Sequence, residues 1–196
     1  MENEKGIPKT VKLDGIVVGE YISTGNFEYD AELAKNVLKE KGLYREPNLV
    51  ESMFSSANSF AHVAIELYES GLRASPFEVR KVSPFIVNGT FAIELYFKTI
   101  HVAIGRPQRG HELIKLYDSL DGEAKRVIGL CSVELKDFYK IDDAWEIQDC
   151  LGAINKAFEE WRYIFEHTRK SIEIQPMRYA MHVVGESCNR IVHSKK

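Results

Sequence analysis

Residues 84–105 read PFIVNGTFAIELYFKTIHVAIG, and apolar side chains fall on nearly every side of the helix this run predicts. A helix with no face to give to water must be surrounded, so the rest of the chain has to supply other helices around it. Polar positions interrupt the run, and four of them align. At 100° per residue, Thr90, Glu94, Lys98 and His101 fall within a stripe of about 80°. Charge placed in such surroundings needs partners. An internal Glu94–Lys98 pair at i, i+4 would meet that need, and so would a polar residue facing the stripe across the bundle.

The flanking sequence provides the surrounding helices. Residues 10–22, TVKLDGIVVGEYI, join β-branched residues through Asp14-Gly15 and predict a short β-hairpin. Asp30 is the expected N-cap of a first amphipathic helix, AELAKNVLKEK, which Gly42 stops. No proline interrupts residues 48–70, so one long helix is expected there with Gly71 as its cap. Two Ser-Pro steps mark residues 72–84 as a connection, and Pro84 is placed to open the central helix. Short helices follow at HELIKLYDSL and GEAKRVIGLC. A long helix is expected from about Asp142 to His167, with Ile154, Phe158, Trp161 and Phe165 on its buried face. A strand-like SIEI and a closing helix from Pro176 complete the chain, with Met177, Met181, Val184 and Cys188 on one face. The pentapeptide AIELY occurs at Ala64–Tyr68 and again at Ala92–Tyr96, which reads as two core helices solving one packing problem. The expected fold is mainly α, an up-and-down helical bundle over residues 47–196 behind an N-terminal β-hairpin arm and short helix over residues 1–46.

The composition bounds the partners. A net charge of −3 argues against a surface that is everywhere an electrostatic trap for nucleic acid, yet leaves room for a local basic cleft. Cys131, Cys150 and Cys188 are odd in number and unpaired in spacing, which predicts reduced thiols and a cytoplasmic protein. The N-terminus has no apolar core of a signal peptide, and no apolar run approaches about 18 residues, so no membrane partner is expected. Cys188, His193 and His182 lack paired ligand spacing, so no metal site is expected; nor is any cofactor, since the chain has no Gly-rich phosphate loop. His62 and His101 lie in apolar helices and read as core histidines.

Two stretches carry candidate chemistry. In RPQRGH the backbone turns of a loop could converge Arg106, Arg109 and His111 beside the start of a helix, where exposed amides favour an anion; the three are candidate phosphate or nucleotide ligands. The alternative is a solvated loop. In WRYIFEH, Arg162 and His167 are about 140° apart on a straight helix, so they share a site only if the helix ends or kinks between them. Arg162 is equally placed to reach Glu94 across the bundle as a structural or pocket ion pair.

The run SPFIVNGTFAIELYFKTIHVAIGRPQRGHELIKLYDSL, with AFEEWRYIFE some forty residues later, resembles the HEPN superfamily of higher eukaryote and prokaryote nucleotide-binding helical domains. The resemblance covers roughly residues 48–193, and AIELYFK and GHELIKLY are its most specific pieces. It implies a compact bundle, often a homodimer, that acts on or binds RNA. Many members are metal-independent endoribonucleases of toxin or antiviral defence systems, with a cognate antitoxin or partner protein in some. Their mark is an arginine followed after four to six residues by a histidine, which assigns Arg162 and His167 as the catalytic pair. A histidine exchanges protons with a 2′-hydroxyl near neutral pH while a guanidinium stabilises phosphate charge. About one such spacing is expected by chance in a chain of this composition, and Arg106 to His111 also has it. The alternative function is a non-catalytic nucleotide-binding or protein-interaction module.

Overall fold

The computed structural model describes residues 5–13, 15–142, 145–155, 157, 161 and 174–194. The chain is mainly helical with one two-stranded antiparallel sheet, and it divides into two units, Met1–Pro47 and Asn48–Lys196.

In the first unit, β1 (Pro8–Leu13) pairs with β2 (Ile16–Ile22), and the register slips between Val11 and Lys12. Gly15 takes a positive φ of 81°, as the expected tight turn requires. Helix α1 (Phe27–Glu40) starts earlier than the sequence predicts: Asn26 is the N-cap, accepting from the amides of Glu28 and Tyr29. Asp30 is instead buried within the first turn. It accepts from the Ser23 hydroxyl and from the Thr24 amide and hydroxyl at 2.7 and 2.8 Å, tying the hairpin exit to the helix. These hydrogen bonds, Ser23 first, hold the Asp30 carboxyl below its ordinary value. Packing of the helix on the sheet depends on Gly19, where a Cβ would lie 2.4 Å from Cγ1 of Val37.

In the second unit, α2 (Leu49–Leu67) opens with a reciprocal capping box between Asn48 and Glu51. Gly71 does not stop it. The chain continues through a π-helical turn, Tyr68–Leu72, in which Gly71 is buried because the Lys81 side chain lies where its Cβ would be. A short 3-10 turn, Val79–Lys81, then leads into α3 (Val82–Ala103), which begins two residues before Pro84. Phe85, Ile86, Ile93, Phe97 and Ile100 of α3 are all fully buried, each burial contributing about 1.5–3 kcal/mol.

The rest packs around this helix. The segment expected as a short helix at GEAKRVIGLC is α5 (Gly122–Tyr139), which runs on to a left-handed C-cap at Lys140. It follows α4 (Leu113–Asp118). Helix α6 (Ile147–Ile154) starts five residues later than Asp142, because Glu146 and Asp149 form its capping box. Phe158 and Phe165, expected on the same buried face, lie outside the described residues, as do three of the four residues of SIEI; Ile174 already belongs to α7 (Ile174–His193). Met177, Met181, Val184 and Cys188 are buried on α7 as their spacing predicts, and α7 packs against α2, α3, α5 and α6. All three cysteines are buried free thiols. No helix among the described residues is long and apolar enough to cross a membrane.

Gly89 is a point of close helix packing. A Cβ there would meet Cε of Met177 at 2.7 Å and Cβ of Ala64 at 3.7 Å, both on fully buried residues with no free space to retreat into. Gly89→Val should therefore cost about 1–3 kcal/mol in urea unfolding; an unchanged midpoint would show that Met177 repacks freely. In the first unit the depressed Asp30 carboxyl stabilises the native joint above its ordinary value of 3.8, and that stabilisation is lost as pH falls through the lower folded value. The Thr24 amide resonance should accordingly titrate with a midpoint below 3.8; a midpoint at or above it would contradict the hydrogen-bonded cluster.

Candidate functional site

The polar stripe of α3 resolves into two arrangements. Thr90 satisfies its hydroxyl within the helix, donating to the Ile86 carbonyl at 2.7 Å. His101 is fully buried, and its Nε2 lies 2.9 Å from the Leu116 carbonyl of α4. A carbonyl only accepts, so Nε2 carries the proton and Nδ1 is left as a buried acceptor without a partner among the described residues. His101 is thus the core histidine its sequence context predicts. His62 is not: it is exposed on α2, 3.3 Å from Glu66, because its apolar neighbours turn away from it around the helix.

Glu94 is the centre of the second arrangement. Its side chain is only 2% exposed, and Oε1 accepts from Nζ of Lys98 at 2.6 Å. The same oxygen lies 3.0 Å from Nδ1 of His111, so both readings of the stripe are realised at one atom: the internal pair and the partner from another segment. Oε2 is buried with no hydrogen-bond partner among the described residues. The loop makes this possible through its two glycines. Gly105 (φ 75°) and Gly110 (φ 104°) adopt the left-handed region, while the Arg106 amide donates to the His101 carbonyl at 2.8 Å. The chain leaves α3 at Ala103 and returns, bringing His111 back to a residue seventeen positions earlier in the sequence.

His111 is 59% exposed on its side chain, so one face of the imidazole meets the buried carboxylate and the rest meets solvent. Because a carboxylate accepts, Nδ1 donates to Glu94, which fixes the orientation of the ring. Arg109, Gly110, His111, Lys115 and Ser119 line a cleft of about 440 Å³. Arg106 and Arg109 are exposed and form no ion pair among the described residues, whereas Lys115 is held by Glu112 at 2.6 Å. Arg109 and His111 therefore share the cleft, and Arg106 stands at the loop's other end, outside its lining. The helix start contributes less than its sequence implies. Helix α4 has only six residues, and its Ile114 amide donates to Oδ1 of Asn155 at 2.9 Å, so a side chain already occupies the anion's place.

Arg162 and His167, the pair assigned by the resemblance, lie outside the described residues, and so does the expected Arg162–Glu94 contact. Near the C-terminus Arg190 is engaged by Glu134 at 2.7 Å and Glu186 at 2.8 Å, and Nδ1 of His193 by the Asn189 carbonyl. No cluster of potential metal ligands occurs among the described residues.

A second concavity escaped the sequence reading. It is lined by Tyr68, Phe85, Tyr96, Phe138, Tyr139 and Arg178, drawn from four separate segments with no local spacing to betray them. Only the concentration of tyrosines at helix ends hinted at it. Comparison with known protein families, with curated proteins and with solved structures finds no match.

The Glu94 contacts carry a stability prediction. Replacing Lys98 by Met leaves a buried carboxylate with His111 as its remaining partner, and should lower stability by on the order of 3 kcal/mol. A loss below about 0.5 kcal/mol in denaturant unfolding would show that the pair is worth no more than an exposed helix pair.

Proposed function

We propose that this chain is a HEPN-like helical protein that acts on or binds RNA, using the His111 end of the second unit to engage phosphate. The observation that carries this reading is the His111 imidazole held 3.0 Å from the buried Glu94 carboxylate, in a cleft shared with the Arg109 guanidinium, which has no ion-pair partner among the described residues. The carboxylate orients the ring at the cleft, while the guanidinium supplies bidentate donors. Arg106 adds positive charge at the other end of the loop. Where such a protein is an endoribonuclease, Arg162 and His167 are the catalytic pair of the motif. The 2′-hydroxyl, giving up its proton to a base, would attack the adjacent phosphate without a metal; the P–O5′ bond would break to leave a 2′,3′-cyclic phosphate and a protonated 5′-hydroxyl, and a homodimer would bring two such pairs into one cleft.

Binding of a fluorescent single-stranded RNA, followed by anisotropy over a salt series, tests the reading. Arg109→Ala and His111→Ala should each weaken binding by about tenfold, and Arg109→Ala should flatten the salt dependence by about one phosphate. Binding unchanged in both would remove this cleft from the interface. Cleavage measured in chelator separates the two functional alternatives. Activity lost in Arg162→Ala and His167→Ala supports the endoribonuclease of a toxin or antiviral system, whereas binding without cleavage supports the non-catalytic module.

A further inference from the structure

The cavity between α2, α3, α5 and α7 lies within the second unit and has a volume of about 330 Å³, at the small end of the range for ligand sites. Its walls are aromatic: Tyr68, Phe85, Tyr96, Phe138 and Tyr139 all line it. Flat apolar walls take flat apolar ligands, because stacked and edge-on ring contacts add to burial. One cation stands among them. The guanidinium carbon of Arg178 lies 3.8 Å from the Tyr68 ring centroid and 5.3 Å from that of Tyr139, so the rings fix its plane.

The charges at this cavity are unevenly satisfied. Two carboxylates also line it, but Glu69 is paired with Arg73 at 2.8 Å and Glu186 with Arg190 at 2.8 Å. Arg178 has no carboxylate partner among the described residues. Its Nη1 donates to Tyr68 Oη at 3.1 Å and Gln175 Oε1 at 3.3 Å, and Nε and Nη2 donate to nothing among those residues. An unpaired planar fork beside aromatic walls is complementary to a carboxylate carried on a ring. The neighbouring Glu69 and Glu186 disfavour a second negative charge, which selects a monoanion over a phosphate dianion. From the aromatic walls and the unpaired Arg178 guanidinium, we propose that this cavity binds a small planar aromatic carboxylate, with Arg178 pairing its anionic group and Tyr68 and Tyr139 holding the guanidinium in place. The site is separate from the Glu94–His111 cleft and rests on no part of the RNA reading.

Calorimetric titration of the full chain with naphthoate, naphthamide and naphthyl phosphate tests the proposal. Naphthoate should bind saturably and about tenfold more tightly than naphthamide, the neutral ring of the same shape, and more tightly than the phosphate. Arg178→Gln should erase the preference of naphthoate over naphthamide. Phe138→Ala changes a residue that is 72% exposed and so leaves the fold intact; it should weaken naphthoate and naphthamide alike. His111→Ala should leave all three titrations unchanged. No saturation by about 1 mM naphthoate, equal affinity for naphthoate and naphthamide, tighter binding of the phosphate, or a preference that survives Arg178→Gln would each overturn it. Should Arg178→Gln fail to fold, the wild-type ligand order and the Phe138→Ala titrations decide the question.

Discussion

The second unit is organised by a helix that cannot face water. Burial of Phe85, Ile86, Ile93, Phe97 and Ile100 on α3 leaves only the half-buried face of Val87, Phe91, Leu95 and Lys98 toward solvent, so α2, α4 and α7 must each present an apolar face to it. Small residues set how close these helices come. Gly89 meets Ala64 and Met177, and Gly185 lets the Tyr96 ring lie against α7. The two AIELY segments fall on α2 and α3, the pair of helices in most intimate contact, in keeping with one packing solution used twice.

Into this apolar helix the chain places one carboxylate. Glu94 is tolerable there because Lys98 reaches it from one turn away and His111 from the loop beyond the helix end. The consequence runs in both directions. The pair fixes the loop against the bundle, and the loop in turn delivers an imidazole to the surface with its Nδ1 held by the carboxylate. A buried carboxylate thereby holds a side chain at the surface without being exposed itself, and the phosphate binding proposed for this end of the unit rests on that arrangement. The aromatic cavity is built on a different principle: its guanidinium is held by π faces, the Tyr68 hydroxyl and the Gln175 amide oxygen, with no carboxylate partner among the described residues.

Much of this architecture was legible in the residues. The period-3.6 stripes of α3 and α7, the hairpin turn at Gly15 and the buried polar line Thr90–Glu94–His101 all follow from side-chain spacing, which is local information. Local signals also misled where two residues competed for one role. Asn26 took the cap expected of Asp30, because Asp30 finds better donors in Ser23 and Thr24. Gly71 was retained for the approach of Lys81, not to end a helix, and α5 outran its expected length because Ile128, Cys131 and Ser132 continue its buried face toward Tyr139.

By itself, the sequence determined that the chain is helical, that α3 is central, and that Glu94 needs partners, since each of these depends on spacing within a single element. Only the tertiary structure decided which partners those are. His111 reaches Glu94 because two left-handed glycines fold the loop back, and Asn155 occupies the Ile114 amide because α6 ends beside α4. Arg178 stands between Tyr68 and Tyr139 because three segments far apart in the chain meet there. Such convergence is set by packing of whole helices around a common core, and no short window of residues encodes it.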